Sequence, residues 1–285
     1  MITNLKSLLI TVLSLSLVMP VFSFQPSGGI LSLDGIDDYA VHPFEEHGYL
    51  FPKNTREFTV EMWFYPKSGP TNHGENTIIF TQQVYFGLSA NRAECKSGVS
   101  QLCCYGGAYL EGETAHGVSF FYAPMERNRW NYVAIVYKDS TFAFVYNNRI
   151  KRKSKFGVMD RVSVEDLGNI KDFFVGGYAQ EMARTIRFHG DIDAIRFSRT
   201  ARYDFPDIPW FEEPFDPPHR FVRDRDTVAL WNFDEREGAT RFQDESKNKR
   251  MLIGMNGASI SSALDVSPES TSLTTTWGKI KSRSR

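Results

Sequence analysis

The stretch Phe58-Thr-Val-Glu-Met-Trp-Phe-Tyr-Pro66 decides the fold class. Its residues at positions 58, 60, 62 and 64 are apolar, whereas the positions between them form a mixed face that includes Glu61 and Trp63. Alternation with a period of two predicts a β-strand that turns one face to a core. Similar strand signals recur along the chain, at 31–43, 129–137, 142–148, 173–178, 190–198 and 227–234.

Short strands separated by turn residues, with no sustained helical period between them, predict an all-β fold. The expected architecture is an antiparallel sandwich of two sheets. The chain has 285 residues, of which 41% are apolar, and this is enough for one large core. Its formal net charge of −1 creates no field that would attract nucleic acid, so we expect no nucleic-acid partner.

The order of the strand signals resembles the LamG-like jelly rolls, the laminin G-like branch of the concanavalin A-like lectin/glucanase superfamily. The resemblance covers residues 28–258 and implies a jelly roll that binds a ligand at its rim or on one sheet face. It departs from the family pattern at Ala194, where the family has Glu. The matching motifs are Leu33-Asp34-Gly35 with Asp37, Asp38 and Tyr39; Trp130 with Val133 and Ala134; and Gly190-Asp-Ile-Asp-Ala-Ile-Arg196.

The two ends of the chain differ from this domain in composition. Residues 1–23 are predicted to be a signal peptide, because Lys6 precedes an apolar run that ends in Val21-Phe22-Ser23. The run is marginal for spanning a bilayer, so we expect no stable membrane insertion after cleavage. This predicts a secreted, periplasmic or cell-surface protein, and the style of the signal favours a bacterial origin. Residues 24–258 form the LamG-like domain, and the Ser/Thr-rich basic residues 259–285 are predicted to be a flexible tail.

The stretch 203–218 contains five prolines, which predict an extended crossover instead of a central strand. Its aromatic residues, among them Phe215, are expected to hold it against the surface of the sandwich. The strand signal at 227–234 follows, and we expect that strand to return beside the first one.

Two groups of aspartates predict a structural calcium site. Asp34, Asp37 and Asp38 surround a glycine, and Asp191 and Asp193 form a second pair. Calcium prefers oxygen ligands on loops that wrap around it. Asp193 lies on the same predicted strand face as two apolar residues, so its side chain is expected to point inward and to need a partner. Asp193 and Asp34 are the best candidate ligands. The alternative is that the aspartates cap turns by accepting backbone N–H bonds.

A carbohydrate surface is predicted on the mixed face of the strand 58–66. Glu61, Trp63 and Tyr65 would combine aromatic rings with a hydrogen-bonding group, which suits the C–H faces and hydroxyls of sugars. The alternative is that Trp63 packs beneath a neighbouring loop.

No catalytic motif is apparent, and we expect the chain not to be an enzyme. Glycoside hydrolases need two carboxylates around the scissile bond, whereas Asp191 lacks a closing Glu and Glu61 has no carboxylate at the next two positions on its strand face. A diverged glycoside hydrolase that uses Glu61 or Asp191 remains a third hypothesis.

Three cysteines lie within ten residues, and in an oxidising compartment one disulfide is plausible. Cys95 would pair with Cys103 or Cys104, and three free thiols are the alternative. The predicted function is an exported, non-catalytic module, with calcium, that binds a glycan or a cell-surface or extracellular protein. The runner-up is an adhesion or spacer module without sugar specificity.

Overall fold

The computed structural model describes residues 24–26, 28–51, 55–67, 76–81, 86–91, 102–111, 116–139, 141–147, 149–155, 161–162, 172–177, 187–204 and 215–262. The predicted signal peptide therefore lies outside the described residues, and so does Cys95. Cys103 and Cys104 lie on one strand, and the disulfide stays a prediction. None of the helices in the described part of the chain is long and apolar enough to cross a membrane.

The described residues form two antiparallel sheets, so the predicted sandwich is confirmed. Sheet A contains β1 (Gly29–Asp34), β3 (Phe58–Pro66), β8 (Asn131–Lys138), β9 (Thr141–Tyr146), β10 (Arg149–Lys155), β13 (His189–Ser198), β14 (Thr227–Trp231) and β17 (Ser259–Ser262). Sheet B contains β2 (Tyr39–His42), β4 (Asn76–Thr81), β5 (Phe86–Asn91), β6 (Leu102–Glu111), β7 (His116–Met125), β11 (Arg161–Val162), β12 (Phe173–Val175), β15 (Arg241–Phe242) and β16 (Leu252–Met255). One short helix, α1 (Phe44–His47), follows β2.

The strand order places β3 and β13 in the middle of sheet A, in the sequence β10-β9-β8-β3-β13-β1-β17. Strand β14 pairs with the second half of β13, whereas β1 pairs with its first half. The expectation that the strand at 227–234 lies beside the first strand is wrong, because β17 pairs with β1 instead. The predicted tail is also wrong at its start, since Ser259–Ser262 belong to the sheet.

The main core lies between the two sheets. The apolar positions 58, 60, 62 and 64 of β3 all enter it, as their alternation predicts. A second cluster covers the other side of sheet A, which carries Trp63, Tyr132 and Ala194 and which we call the outer face. Phe24, Phe215 and Phe221 lie over this face, so the crossover that ends at Pro218 is held by aromatic contacts as expected. Its residues 205–214 lie outside the described residues.

Candidate functional site at the rim of the sandwich

The candidate site lies at the end of the sandwich where β1 stops and β13 starts. The register pairs Asp34 with His189, and the loop Gly35–Asp38 then carries the chain from sheet A to β2 in sheet B. Gly35 has a φ of +74°, and a Cβ at this position would lie 2.5 Å from Cβ of His189. A glycine is therefore required for the turn to pass so close to β13.

The loop is folded by its own carboxylates. Oδ1 of Asp34 accepts the backbone N–H groups of Ile36 (2.7 Å) and Asp37 (3.3 Å), and that of Asp38 at 3.4 Å. Oδ2 of Asp38 accepts the backbone N–H of Asp34 at 3.1 Å. Asn256 adds a bond from its side-chain amide to the carbonyl of Asp37. The turn-capping alternative is thus present in the structure, and it brings the three carboxylates together.

Asp34, Asp37 and Asp38 form what we call the acidic loop. One carboxylate oxygen from each lies within 4.8 Å of the others, and within the described ranges no other group of three acidic, His or Cys ligands meets this condition. Burial raises the pKa of Asp38, and the charges of Asp34 and Asp37 raise it further. Calcium binds oxygens at about 2.3–2.6 Å, so oxygens at this spacing fit around one ion. The donor set is therefore compatible with calcium.

Arg187 supplies a positive charge beside the acidic loop. Its guanidinium carbon lies 4.8 Å from the centroid of the Tyr39 ring, and only 9% of the residue is exposed. Burial lowers its pKa, whereas Tyr39 and the three loop carboxylates oppose that change. Nε and Nη1 are buried and have no hydrogen-bond partner among the residues that the structure describes. A Cβ on Gly177 would lie 2.4 Å from Nη1, so this glycine leaves the room that the guanidinium occupies.

The second aspartate pair does not join the acidic loop. Asp191 is fully buried and accepts a hydrogen bond of 2.7 Å from Nζ of Lys67. Burial raises the pKa of Asp191, and the Lys67 amine opposes the rise. The expectation that Asp191 ligates the same ion as Asp34 is wrong, because its charge is compensated by Lys67.

Asp193 occupies a β-bulge, which reverses the predicted orientation. The register between β13 and β3 shifts between Ile192 and Ala194. Ile192 and Ile195 consequently both enter the main core, and Ala194 joins the outer cluster. The prediction that Asp193 points inward with Ile195 and ligates calcium with Asp34 is therefore wrong. Burial raises its pKa to about 7, and the charge of Asp234 contributes.

The predicted sugar-binding face at Glu61 and Trp63 is not accessible, so that prediction is wrong for these two residues. Their exposed fractions are 0 and 1%. Phe24 stacks on the Trp63 ring with centroids 3.9 Å apart, and the indole N–H donates to the carbonyl of Pro218. The alternative, that Trp63 packs beneath a neighbouring segment, is what the structure contains.

Tyr65 lies at the edge of this covered region. It is 9% exposed and makes an edge contact with Trp130, with ring centroids 5.4 Å apart. Its register partner on β13 is Asp191. Burial raises the pKa of Tyr65, and the charge of Asp191 adds to the rise. A ligand-binding role for Tyr65 stays a prediction.

Sequence reasoning missed Arg187, Lys67 and Asn256. Lys67 and Asn256 hydrogen-bond to a predicted aspartate or to its loop, and Arg187 acts on the loop carboxylates through its charge, all across a long sequence separation. In the sequence, the glycine pair Gly176-Gly177 could have indicated that a large side chain, here that of Arg187, packs against the backbone. Both residues have positive φ, and Gly177 makes room for its side chain.

Comparisons with known proteins agree with this architecture. No protein-family model matches the sequence, and no curated protein matches it. Among solved structures, a candidate carbohydrate binding protein from Bacteroides ovatus ATCC 8483 is similar, with a TM-score of 0.55 and 17% identity over 84% of this chain. The chain shares with that protein the fold of a two-sheet antiparallel jelly-roll sandwich.

Two further solved structures are more distant. Domains LG4-5 of the mouse laminin α1 chain match over 67% of this chain and 47% of theirs, with 12% identity and a TM-score of 0.38. A carbohydrate-binding module, CBM40 of the Ruminococcus gnavus IT-sialidase bound to α2,3 sialyllactose, matches over 64% of this chain and 95% of its own, with 15% identity and a TM-score of 0.44. The match to the Bacteroides protein spans 60% of that protein's length.

Proposed function

We propose that this chain is an exported, non-catalytic carbohydrate-binding module whose ligand contacts the rim at the acidic loop. One observation carries the proposal. Two exposed carboxylates, those of Asp34 and Asp37, lie beside the guanidinium of Arg187, whose Nε and Nη1 have no hydrogen-bond partner among the described residues. Sugar hydroxyls both donate and accept, so acceptors and donors in one place match them. Ile36, between the two aspartates, is 72% exposed and offers an apolar contact for a C–H face.

The covered outer face supports a rim site over a site on the sheet. Trp63 and Glu61 are occupied by the protein's own Phe24, Pro218 and Arg196. The description of the Bacteroides protein as a candidate carbohydrate binder agrees with the proposed class, although identity at this level supports the fold alone.

We propose the absence of catalysis because the two candidate carboxylates are buried and already paired with cations. Glu61 is bound by Arg196, and Asp191 is bound by Lys67, and both carboxylates are fully buried. General acid–base catalysis requires a carboxyl group within hydrogen-bond reach of the substrate. Neither group offers that reach, so a glycoside hydrolase built on them is disfavoured.

Calcium is part of the proposal. Asp34, Asp37 and Asp38 would hold the ion, and the ion would supply a centre that coordinates ligand hydroxyls. Arg187 would remain beside it as a hydrogen-bond donor. Because its charge opposes a second cation, we expect a weak site.

A glycan and polysaccharide screen of the full chain, run in calcium and again in chelator, tests the proposal. We expect binding to one glycan class that is lost in Asp37→Asn and retained in Glu237→Gln, an exposed acidic residue on the loop before β15. Export is tested separately by the N-terminal sequence of the secreted protein, which should begin at Phe24. Folded protein that binds no glycan in either condition would contradict the binding proposal and favour an adhesion module.

A further inference from the structure

Two histidine rings stack against each other at the far end of β2 from the acidic loop. His42 ends β2 and His47 ends α1; their centroids lie 4.6 Å apart, and the rings are inclined by 10°. His42 is fully buried, and its ring also packs against Trp231. The side chain of His47 is 19% exposed. The stack therefore packs residues 43–49, which we call the α1 segment, against the buried end of β2.

The hydrogen bonds fix the protonation state of His42. Its Nδ1 lies 3.2 Å from the carbonyl oxygen of Met251, and a carbonyl can only accept, so Nδ1 carries the proton. Nε2 of the neutral ring is then a bare acceptor. Within the described part of the chain, neither Nε2 of His42 nor Nε2 of His47 has a hydrogen-bond partner, and both atoms are buried. The in-plane lone pairs of nearly parallel rings do not converge, so the pair is not arranged to chelate a metal ion.

The surroundings of the stack disfavour added positive charge. Arg250 holds the end of the α1 segment, donating to the carbonyls of Tyr49 (2.9 Å) and Leu50 (2.8 Å). The carboxylate of Glu46 is close to the stack, but its Oε2 lies 3.7 Å from Nε2 of His47 and its side chain is 62% exposed. Among the described residues, the remaining ionisable groups on the segment or bonded to it are Glu45, Tyr49, Asp172 and, acting on Arg250, Asp244.

We infer that the His42–His47 stack makes the α1 segment sensitive to pH: protonation of His42 in acid opens the contacts that hold the segment closed. Protonation of His42 would place a buried cation against a second imidazole and near Arg250, and its Nε2–H would face no acceptor among the described residues. The anchors of the segment include the N–H of Phe44, which donates to Asp172, and Arg250, which holds two carbonyls. Opening these contacts hydrates the His42 ring and removes the free-energy cost of burying its positive charge, whereas the main core can stay packed.

The direction of the pH dependence follows from linkage. Burial, then the charges of His47 and Arg250, lower the pKa of His42 from 6.5 to about 4, against the Met251 bond, which raises it. A group with a depressed histidine pKa stabilises the closed state above pH 6.5. This stabilisation is lost as the pH falls from 6.5 toward 4. The opening equilibrium should then rise by up to about tenfold per pH unit in that window.

Hydrogen–deuterium exchange of the full chain at pH 7.5, 6 and 5, corrected for intrinsic exchange, tests the inference. We expect faster opening of the α1 segment at lower pH, with unchanged protection of β14 as the internal reference. In His42→Asn the side-chain amide can still donate to Met251, but position 42 no longer titrates, so the pH dependence of opening that His42 causes should disappear.

The wild-type protein provides a second readout in case His42→Asn does not fold. An NMR titration should find the ring C2–H of His42 titrating well below pH 6. Titration near 6.5, or protection of the α1 segment that does not change between pH 7.5 and 5, would overturn the inference. The inference does not depend on the proposed carbohydrate site.

Discussion

Nε and Nη2 of Arg196 lie 2.8 and 2.7 Å from the same oxygen, Oε1 of Glu61. The other oxygen of Glu61 accepts the hydroxyls of Tyr132 (2.8 Å) and Tyr203 (2.6 Å). Burial raises the pKa of both tyrosines, and the charge of Glu61 raises it further, so both hydroxyls stay protonated at neutral pH. The carboxylate thus joins β3, β8, β13 and the segment after β13 at one buried point.

Glu61→Gln should therefore destabilise the protein strongly. The substitution keeps the shape of the side chain but leaves the Arg196 guanidinium buried beside a neutral group. Loss of one partner of a buried ion pair typically costs about 3–5 kcal/mol. Urea unfolding at pH 7 measures the effect, with the exposed Glu45→Gln as the control. A change below about 1 kcal/mol would contradict a structural role for this pair.

Phe24→Ala should uncover Trp63. The Phe24 ring is 4% exposed and lies parallel to the indole, so its removal opens one face of the tryptophan to water. Truncation of a buried Phe costs about 3–5 kcal/mol. We expect this loss together with a red shift of tryptophan fluorescence. The exposed Ile36→Ala is the control and should show neither change, and an unshifted spectrum in Phe24→Ala would contradict the observed stacking.

Asp193→Asn should stabilise the protein as the pH rises. The folded-state pKa of Asp193 is raised to about 7, so its favourable contribution is complete below the unfolded value of 3.8 and is lost as the pH rises through 7. Asn resembles the protonated form and does not titrate. The difference in unfolding free energy should grow between pH 4 and 7, up to about 4 kcal/mol. A difference independent of pH would show that Asp193 is not desolvated.

Arg187→Gln should raise the affinity of the acidic loop for calcium. The substitution removes a positive charge that acts on Asp34, Asp37 and Asp38 and keeps a hydrogen-bond donor. At the effective dielectric near a protein surface, one nearby charge changes the affinity for a divalent ion on the order of tenfold. Terbium luminescence titration with calcium competition measures this. Equal affinities in Arg187→Gln and wild type would mean that Arg187 does not oppose the ion.

The sequence predicted those parts of the structure that depend on local alternation. Phe58, Val60, Met62 and Phe64 enter the core because β3 is regular and period two holds along it. The same rule failed at Asp193, because one extra residue in β13 reverses the alternation and nothing in the local composition marks the bulge.

The candidate site was predictable only in its local part. Asp34, Asp37 and Asp38 are close in sequence, and one turn brings their side chains together. The coverings and counter-charges come from elsewhere in the chain: Phe24 reaches Trp63, and Lys67 reaches Asp191. Such pairings depend on the sheet register and on the path of the crossover, which composition does not determine.

The path of residues 215–222 across the outer face of sheet A has a consequence for any glycan bound at the rim. A polymer cannot lie along a face that Pro218 and Phe221 already occupy. If a glycan binds at the acidic loop as proposed, its contact would be end-on, with one terminal unit held and the rest of the polymer projecting into solvent. Affinity would then be independent of polymer length, and the density of chain ends on a target surface would set the avidity of clustered modules.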